Sequence, residues 1–252
     1  MTEKVVSFQS GLGQIAPLAN IGVIENALHR LGNRQPGDPG LFVICGHSGT
    51  GKSMAAAWAK ARHRSYYLQL DDYVTRKGFL VDLHRVMGMD IPKGTAKDLL
   101  DSAATQLASS RRTLIIDEFD FIVDKEMVMA VFSLYEKTKA SIILIGEERL
   151  PAKLANNPAW EKFDGRVLDT LYAEPVNLSD ARTLAQYKYP QFSFADDLLQ
   201  HLVDIAKRSV RRVNNNLGLI YNEGMSMGWD GCDLTTWGNR PLQEAGMKRR
   251  VE

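Results

Sequence analysis

The chain has 252 residues, 44% of them hydrophobic and 24% charged, with 31 basic against 30 acidic side chains and a net charge of +1. That length allows one large domain, or a medium one with a small companion, and a core large enough to need neither disulfides nor a structural metal. The balanced charge neither demands nor excludes nucleic acid, and confines any basic surface to local patches.

Residues 1–20 carry little pattern and are expected to form a loose arm; MTEKVVSFQSGLGQ lacks the basic and apolar segments of a signal peptide. Ile21, Ile24, Ala27, Leu28 and Leu31 fall at helical spacing, and GNRQPGDPG, 32–40, reads as a turn-rich linker. Leu41–Cys45 is an apolar strand, followed by a glycine-rich turn and a helix over Lys52–Arg62. SYYLQL, 65–70, reads as a second strand, and Phe79, Leu80, Leu83 and Val86/Met87 line one side of a helix over 78–88. Asp98–Ser109 is a further amphipathic helix, TLIID, 113–117, a third strand, Glu126–Thr138 a helix, SIILIG, 141–146, a fourth strand and RVLDTLY, 166–172, a fifth.

Apolar strands without alternation, separated by helical patterns, predict a parallel sheet covered on both faces. Beyond Pro175 the texture becomes helical: LSDARTLAQYK, with Ser179 or Asp180 as N-cap, then 194–208 and 209–224. The expected organisation is an arm (1–20), an α/β domain (21–175), a small helical domain (176–225) and a tail (226–252). No apolar run approaches the ~20 residues that span a membrane. Cys45 and Cys232 lie too far apart for a disulfide framework, so a reducing cytoplasm is expected, with Cys45 as a small buried residue.

Gly46, Gly51, Lys52 and Ser53 satisfy G-x-x-x-x-G-K-[ST] between a strand and a helix. The intervening His47, Ser48, Gly49 and Thr50 let the backbone wrap a phosphate so that several N–H groups converge on it. The following helix N-terminus adds unsatisfied donors and its dipole. Lys52 brings a point charge to the outer phosphates, and Ser53 a hydroxyl for Mg²⁺. In LIIDEFD, 114–120, Asp117 ends a buried strand, where open parallel sheets bind ligands. Asp117 suits Mg²⁺, directly or through water, and Glu118 suits polarisation of an attacking water. Asp120 and Asp124 read as solvated acids. ATP and Mg²⁺ are therefore the expected cofactors. The five histidines lack metal-ligand spacing, so no zinc is expected.

GLFVICGHSGTGKS, YYLQLDDYVTRKGFLVDLHRVMGM, TLIIDEFDFI and SIILIGEERLPAKL, with the helical segment behind them, resemble the AAA+ ATPases. More narrowly, TRKGFLVDLHRVMG and LIGEERL resemble the transposition ATPases of the phage Mu B and TniB type; the likeness runs over about residues 20–225. It implies a sheet order of 5-1-4-3-2 with a helical lid, and ATP bound between subunits of a ring or helical filament on DNA. It also implies an arginine reaching a neighbour's site, for which Arg166 in KFDGRV is the first choice and Arg149 in GEERL the rival. Arg211 or Arg212 in SVRRVNNNL resembles the second sensor that contacts nucleotide. Two departures stand out. Glu147 occupies the first-sensor position, where an ionised acid cannot donate a hydrogen bond, and only about 20 residues precede the first helix, too few for the N-terminal helix-turn-helix domain of the Mu B protein.

Local basic clusters are Lys60/Arg62/Arg64, Arg76/Lys77, Arg111/Arg112, Lys207/Arg208/Arg211/Arg212 and Lys248/Arg249/Arg250. A filament repeats a few such charges along a duplex and so neutralises many phosphates. Arg76 and Lys77, after the second strand, are the expected DNA contacts, with Tyr66, Tyr67 and Tyr73 nearby and with little sequence preference. The resemblance thus implies an ATP-dependent DNA-binding ATPase that regulates transposition in a bacterial or phage-infected cytoplasm. Its partners would be double-stranded DNA, a transposase (engaged through 226–252) and further copies of itself; no membrane partner is expected. A protein-remodelling ATPase is the alternative, with KGF, 77–79, as an aromatic pore loop; the spacing of Phe79 with Leu83 and Val86 favours a core role for it instead. A small-molecule P-loop kinase fits the adjacent Asp117–Glu118 pair and the helical lid poorly.

Overall fold

The apolar runs become strands with no polar face. In the computed structural model of the protein, which describes residues 15–245, α1 (Ala19–Gly32) precedes β1 (Leu41–Cys45), α2 (Lys52–His63), β2 (Tyr66–Gln69), α3 (Arg76–Met87), α4 (Ala96–Ser110) and β3 (Leu114–Asp117). There follow α5 (Asp120–Asp124), α6 (Val128–Thr138), β4 (Ile142–Gly146), α7 (Leu150–Ala155), α8 (Glu161–Asp164) and β5 (Val167–Tyr172). The chain then continues through α9 (Leu178–Lys188), β6 (Ser193–Phe194), α10 (Asp196–Ala206), α11 (Val210–Ser226), β7 (Gly231–Cys232) and α12 (Leu234–Trp237).

The five long strands pair in parallel in the order β2-β3-β4-β1-β5, which read from the other edge is the expected 5-1-4-3-2. Although β1, β3 and β4 are buried throughout, their side chains still alternate between the two faces. Val43, Ile116 and Leu144 pack with α3, α4 and α6 on one side. Phe42, Ile44, Ile115, Ile143 and Ile145 pack with α1 and α2 on the other. Register sets Cys45 beside Gly146 and Gln69 beside Asp117, so the carboxyl ends of these strands form one edge.

Helix boundaries follow their caps. α4 starts at Thr95, which accepts from the Asp98 N–H while Asp98 bonds back, a reciprocal pair. For α9 the cap is Asn177, not Ser179 or Asp180: Asn177 is extended and accepts from the Asp180 N–H at 2.9 Å, and Asp180 returns the bond from inside the first turn. The helix expected over Glu126–Thr138 begins at Val128, because Glu126 takes a left-handed φ of 53° and breaks it from α5.

The helices after β5 surround their own apolar cluster, which includes Leu184, Leu198, Leu202, Val213, Leu217 and Ile220. The expected tail, 226–252, differs from that expectation over its described part. β7 pairs in parallel with β6, and Trp237 is buried in the same cluster. The fully buried Asn216 holds Gln243 with two hydrogen bonds, donating to its carbonyl at 3.1 Å and accepting from its N–H at 2.7 Å. Lys248, Arg249 and Arg250 lie outside the described residues. Cys45 and Cys232 are both buried free thiols. No helix among the described residues is long and apolar enough to cross a membrane.

Candidate nucleotide site

β1 delivers the chain to a loop that must turn sharply into α2. Gly49 and Gly51 take left-handed φ values of 82° and 101°, where any other residue is strained. At Gly49 a Cβ would also stand 2.5 Å from Ser209 Oγ at the start of α11. Thr50 Oγ1 donates to the His47 carbonyl at 2.9 Å, closing the loop. Lys52 Nζ donates to the carbonyls of Gly46 at 2.6 Å and His47 at 2.9 Å. Burial pushes the Lys52 pKa down, while the charges of Asp117, Glu118 and Glu147 act to raise it. The ammonium is thus a half-buried cation facing acids, with no carboxylate bonded to it.

The acid end of β3 stands beside this loop. Asp117 is 1% exposed. Its Oδ1 accepts from the N–H of Glu118 at 2.9 Å, and its Oδ2 from the hydroxyl of Tyr67 at 2.8 Å. Glu118 takes a left-handed φ of 56°, uncommon for its type and found where a site over-determines the backbone. Burial first, and the Asp117 charge second, push its carboxyl pKa up.

A cavity of about 420 Å³ opens between these parts. Ser48 to Ser53, Glu118, Glu147 and Arg211 are among its polar lining, and Ile15, Leu18, Ile21, Leu184, Tyr187 and Val210 supply apolar wall. Of the phosphate-loop residues, Gly46 and His47 lie just outside the lining and turn their carbonyls to Lys52, and Asp117 sits beneath the floor. Among the described residues no group of three or more His, Cys, Asp or Glu side chains stands close enough to hold a metal. A magnesium ion here would need phosphate oxygens besides Ser53 and Asp117, which is how hard cations sit on nucleotides. The glycine cradle, the half-buried ammonium, the buried carboxylate and the apolar wall fit a magnesium nucleoside triphosphate.

The arm expected over 1–20 contributes to this site. Among its described residues, Ile15, Ala16, Leu18 and Asn20 line the cavity. The side chain of Asn20 donates to the carbonyls of Thr50 at 2.8 Å and Glu174 at 2.9 Å and accepts from the Glu174 N–H at 2.8 Å. One buried amide therefore ties the first helix to the phosphate loop and to the chain leaving β5. Removing it in Asn20→Ala leaves three backbone groups without their partner, so we expect a loss of about 1–3 kcal/mol, read as a lower melting temperature together with weaker nucleotide binding.

Residues 34–154, a little under half of the chain, match the profile of a protein family described as an AAA domain. No curated protein sequence matches the chain. Among solved structures, Cdc6p of Pyrobaculum aerophilum superposes with a TM-score of 0.65 at 14% identity, covering 88% of this chain and 66% of that one. The ORC2 protein of Aeropyrum pernix, solved with ADPNP and ADP, gives 0.65 at 17%, covering 88% and 67%. The ORC1 protein of the same organism, solved with DNA, gives 0.61 at 15%, covering 84% and 61%. The chain spans about two thirds of the length of the first two. With the sheet order above, these superpositions decide the architecture. It is the P-loop AAA+ fold.

Within the AAA+ fold the four expected arginines separate. Arg211 lines the cavity, and its N–H donates to the Gly49 carbonyl at 3.2 Å, bringing α11 onto the phosphate loop. Arg212 does not reach the cavity: one helical position along, it donates to the Ala206 carbonyl at 3.0 Å. Arg166 precedes β5 at the amino end of the sheet, where its Nε bonds Glu136 at 3.1 Å, away from this chain's own cavity. Arg149 is exposed just before α7.

Asp120 corrects the reading of it as a solvated acid; Asp124 is indeed exposed. Asp120 is 6% exposed, accepts from the Glu147 N–H at 2.7 Å and pairs with Lys153 at 3.3 Å. It packs against Gly146, whose missing side chain makes the room. Asp120 thereby fixes the turn that carries Glu147 to the cavity wall. Beside that turn, His47 pairs with Glu148 at 2.8 Å, and Arg208 contacts both, linking phosphate loop, β4 and the segment before α11.

Arg76 and Lys77 are exposed at the first turn of α3, which carries no acid, so two cations sit at the positive end of a helix. Tyr73, just upstream, is 89% exposed. Tyr66 is buried in the core, and Phe79 is fully buried beneath α3.

Proposed function

We propose that this protein is an ATP-dependent, sequence-nonspecific DNA-binding ATPase that assembles on DNA and regulates transposition by engaging a transposase. The observation that carries the nucleotide part is the convergence of Lys52, Ser53 and Glu118 on one cavity that also has apolar lining, with Asp117 beneath its floor. Loop amides and Lys52 hold the phosphates, and Arg211 adds charge from the lid. Ser53 and Asp117 hold magnesium, which neutralises charge on the phosphates when bound. Glu118, its carboxyl near the cavity, takes the proton of the attacking water. Arg166, turned away from its own cavity, supplies charge to a neighbouring subunit's site, so that hydrolysis depends on assembly.

The DNA part is supported by Arg76, Lys77 and Tyr73. Two cations at a helix N-terminus with no acid partner among the described residues oppose the local dipole, so α3 gains nothing from them, whereas a phosphate backbone would. ORC1 of Aeropyrum pernix was solved with DNA, and the shared fold makes such a surface compatible with this architecture. The remodelling alternative loses its pore-loop aromatic, since Phe79 is fully buried. The transposase is assigned from the sequence resemblance, with transposase contact on the surface of 226–252.

The test measures ATPase rate and sedimentation with and without duplex DNA of random sequence. DNA should stimulate turnover, and ATP should promote assembly. DNA association indifferent to both nucleotide and salt would remove the proposal. In Arg76→Ala/Lys77→Ala the salt dependence of DNA binding should become shallower by about two counterions, with ATP affinity unchanged; an unaltered slope would place the DNA elsewhere.

A further inference from the structure

We propose that Tyr67 is a positioning residue for the magnesium ion of this site, its phenol holding the carboxylate of Asp117 so that the oxygens facing the ion are kept in place. The inference rests on the nucleotide reading above and concerns a residue outside both motifs, on β2. Register explains the reach. Tyr67 lies opposite Ile115, and Ile115 and Asp117 share the sheet face covered by α1 and α2. Ser53 stands in the first turn of α2, on that same side. The phenol thus reaches the strand end that carries one expected ligand, on the side of the sheet where α2 carries the other.

The bonding is directional. The Tyr67 hydroxyl donates to Asp117 Oδ2 at 2.8 Å. Asp117 Oδ1 is engaged by the Glu118 N–H. With one donor on each oxygen the carboxylate cannot rotate, and each oxygen keeps a lone pair for the ion or its water. A tyrosine serving only as core filler would need none of these bonds, and phenylalanine would replace it without loss. Groups that orient metal ligands are typically worth about 10–100-fold in metal affinity.

The experiment compares wild type with Tyr67→Phe by calorimetric titration of ATP, first with EDTA and then over a series of Mg²⁺ concentrations. Metal-free ATP affinity should agree within about twofold, because the phenol bonds Asp117 and Gln69 and no phosphate-binding group. The Mg²⁺ concentration giving half of the metal-dependent gain should rise about tenfold. As a measurement that leaves the native chemistry nearly intact, 3-fluorotyrosine at position 67 should show a ¹⁹F shift when Mg²⁺ is added to the ATP complex, but none when Mg²⁺ is added alone. An unchanged or tighter Mg²⁺ dependence in Tyr67→Phe, or a ¹⁹F signal blind to Mg²⁺ with ATP, overturns this inference and leaves nucleotide binding standing. Wild-type protein that takes up no ATP overturns both.

Discussion

Lys52→Ala is expected to remove ATP binding and, with it, ATP-dependent assembly on DNA. The ammonium is the cation of the phosphate loop, and each charge-assisted hydrogen bond it gives a phosphate is worth about 1.5–3 kcal/mol. Losing those bonds lowers affinity by roughly two orders of magnitude. The fold should tolerate the change. Lys52 is held by the carbonyls of Gly46 and His47, yet burial already pushes its pKa down, so the charge is a liability until phosphates meet it. Nucleotide-free protein should therefore melt at or slightly above the wild-type temperature, while the upward shift that ATP gives wild type disappears. Calorimetry, thermal denaturation and sedimentation on DNA measure the three quantities. Retained assembly with ATP binding lost would reject nucleotide as its driver.

Glu118→Gln should separate binding from turnover. Glutamine keeps the size and one acceptor but cannot take a proton, and loss of a general base costs about 10²–10⁴-fold in rate. ATP affinity should stay near wild type, since Glu118 repels the phosphates if anything, and the variant should accumulate as ATP-bound assemblies on DNA. The pH profile provides a second signature. Burial and the neighbouring Asp117 push the Glu118 pKa up. The base must be ionised to act, so wild-type turnover should fall, as pH drops, at a higher pH than an ordinary glutamate would give; the residual rate of the variant should lack that limb. Normal turnover in the variant would take the base assignment away from Glu118. A loss of ATP binding would instead indicate that the left-handed backbone at 118 depends on the carboxylate.

Much of the sheet and of the phosphate loop was legible because their signals are local. Leu41–Cys45 and Ile142–Ile145 are apolar on every side, which only a strand buried on both faces requires. The glycines at 49 and 51 mark torsions that other residues resist. Asp120, Asn20 and Tyr67 were read otherwise or not at all, since each acts across a long separation: Asp120 on the turn after β4, Asn20 on the loop around Thr50 and on Glu174, and Tyr67 on Asp117. The tail was missed for the same reason. Gly231–Cys232 and Leu234–Trp237 are too short to show a period, and only their docking on β6 and the helical cluster gives them structure.

The sequence by itself determined the parallel sheet, the phosphate loop and the acid pair after β3, because hydrophobic periodicity and glycine torsions are properties of neighbours along the chain. Only the tertiary structure decided that Arg211 faces the cavity while Arg212 turns to Ala206, that Ile15, Ala16, Leu18 and Asn20 help wall the site, and that a phenol from β2 reaches Asp117. Those outcomes depend on helix rotation, on strand register and on which buried polar groups find partners, and packing settles these over the whole fold at once.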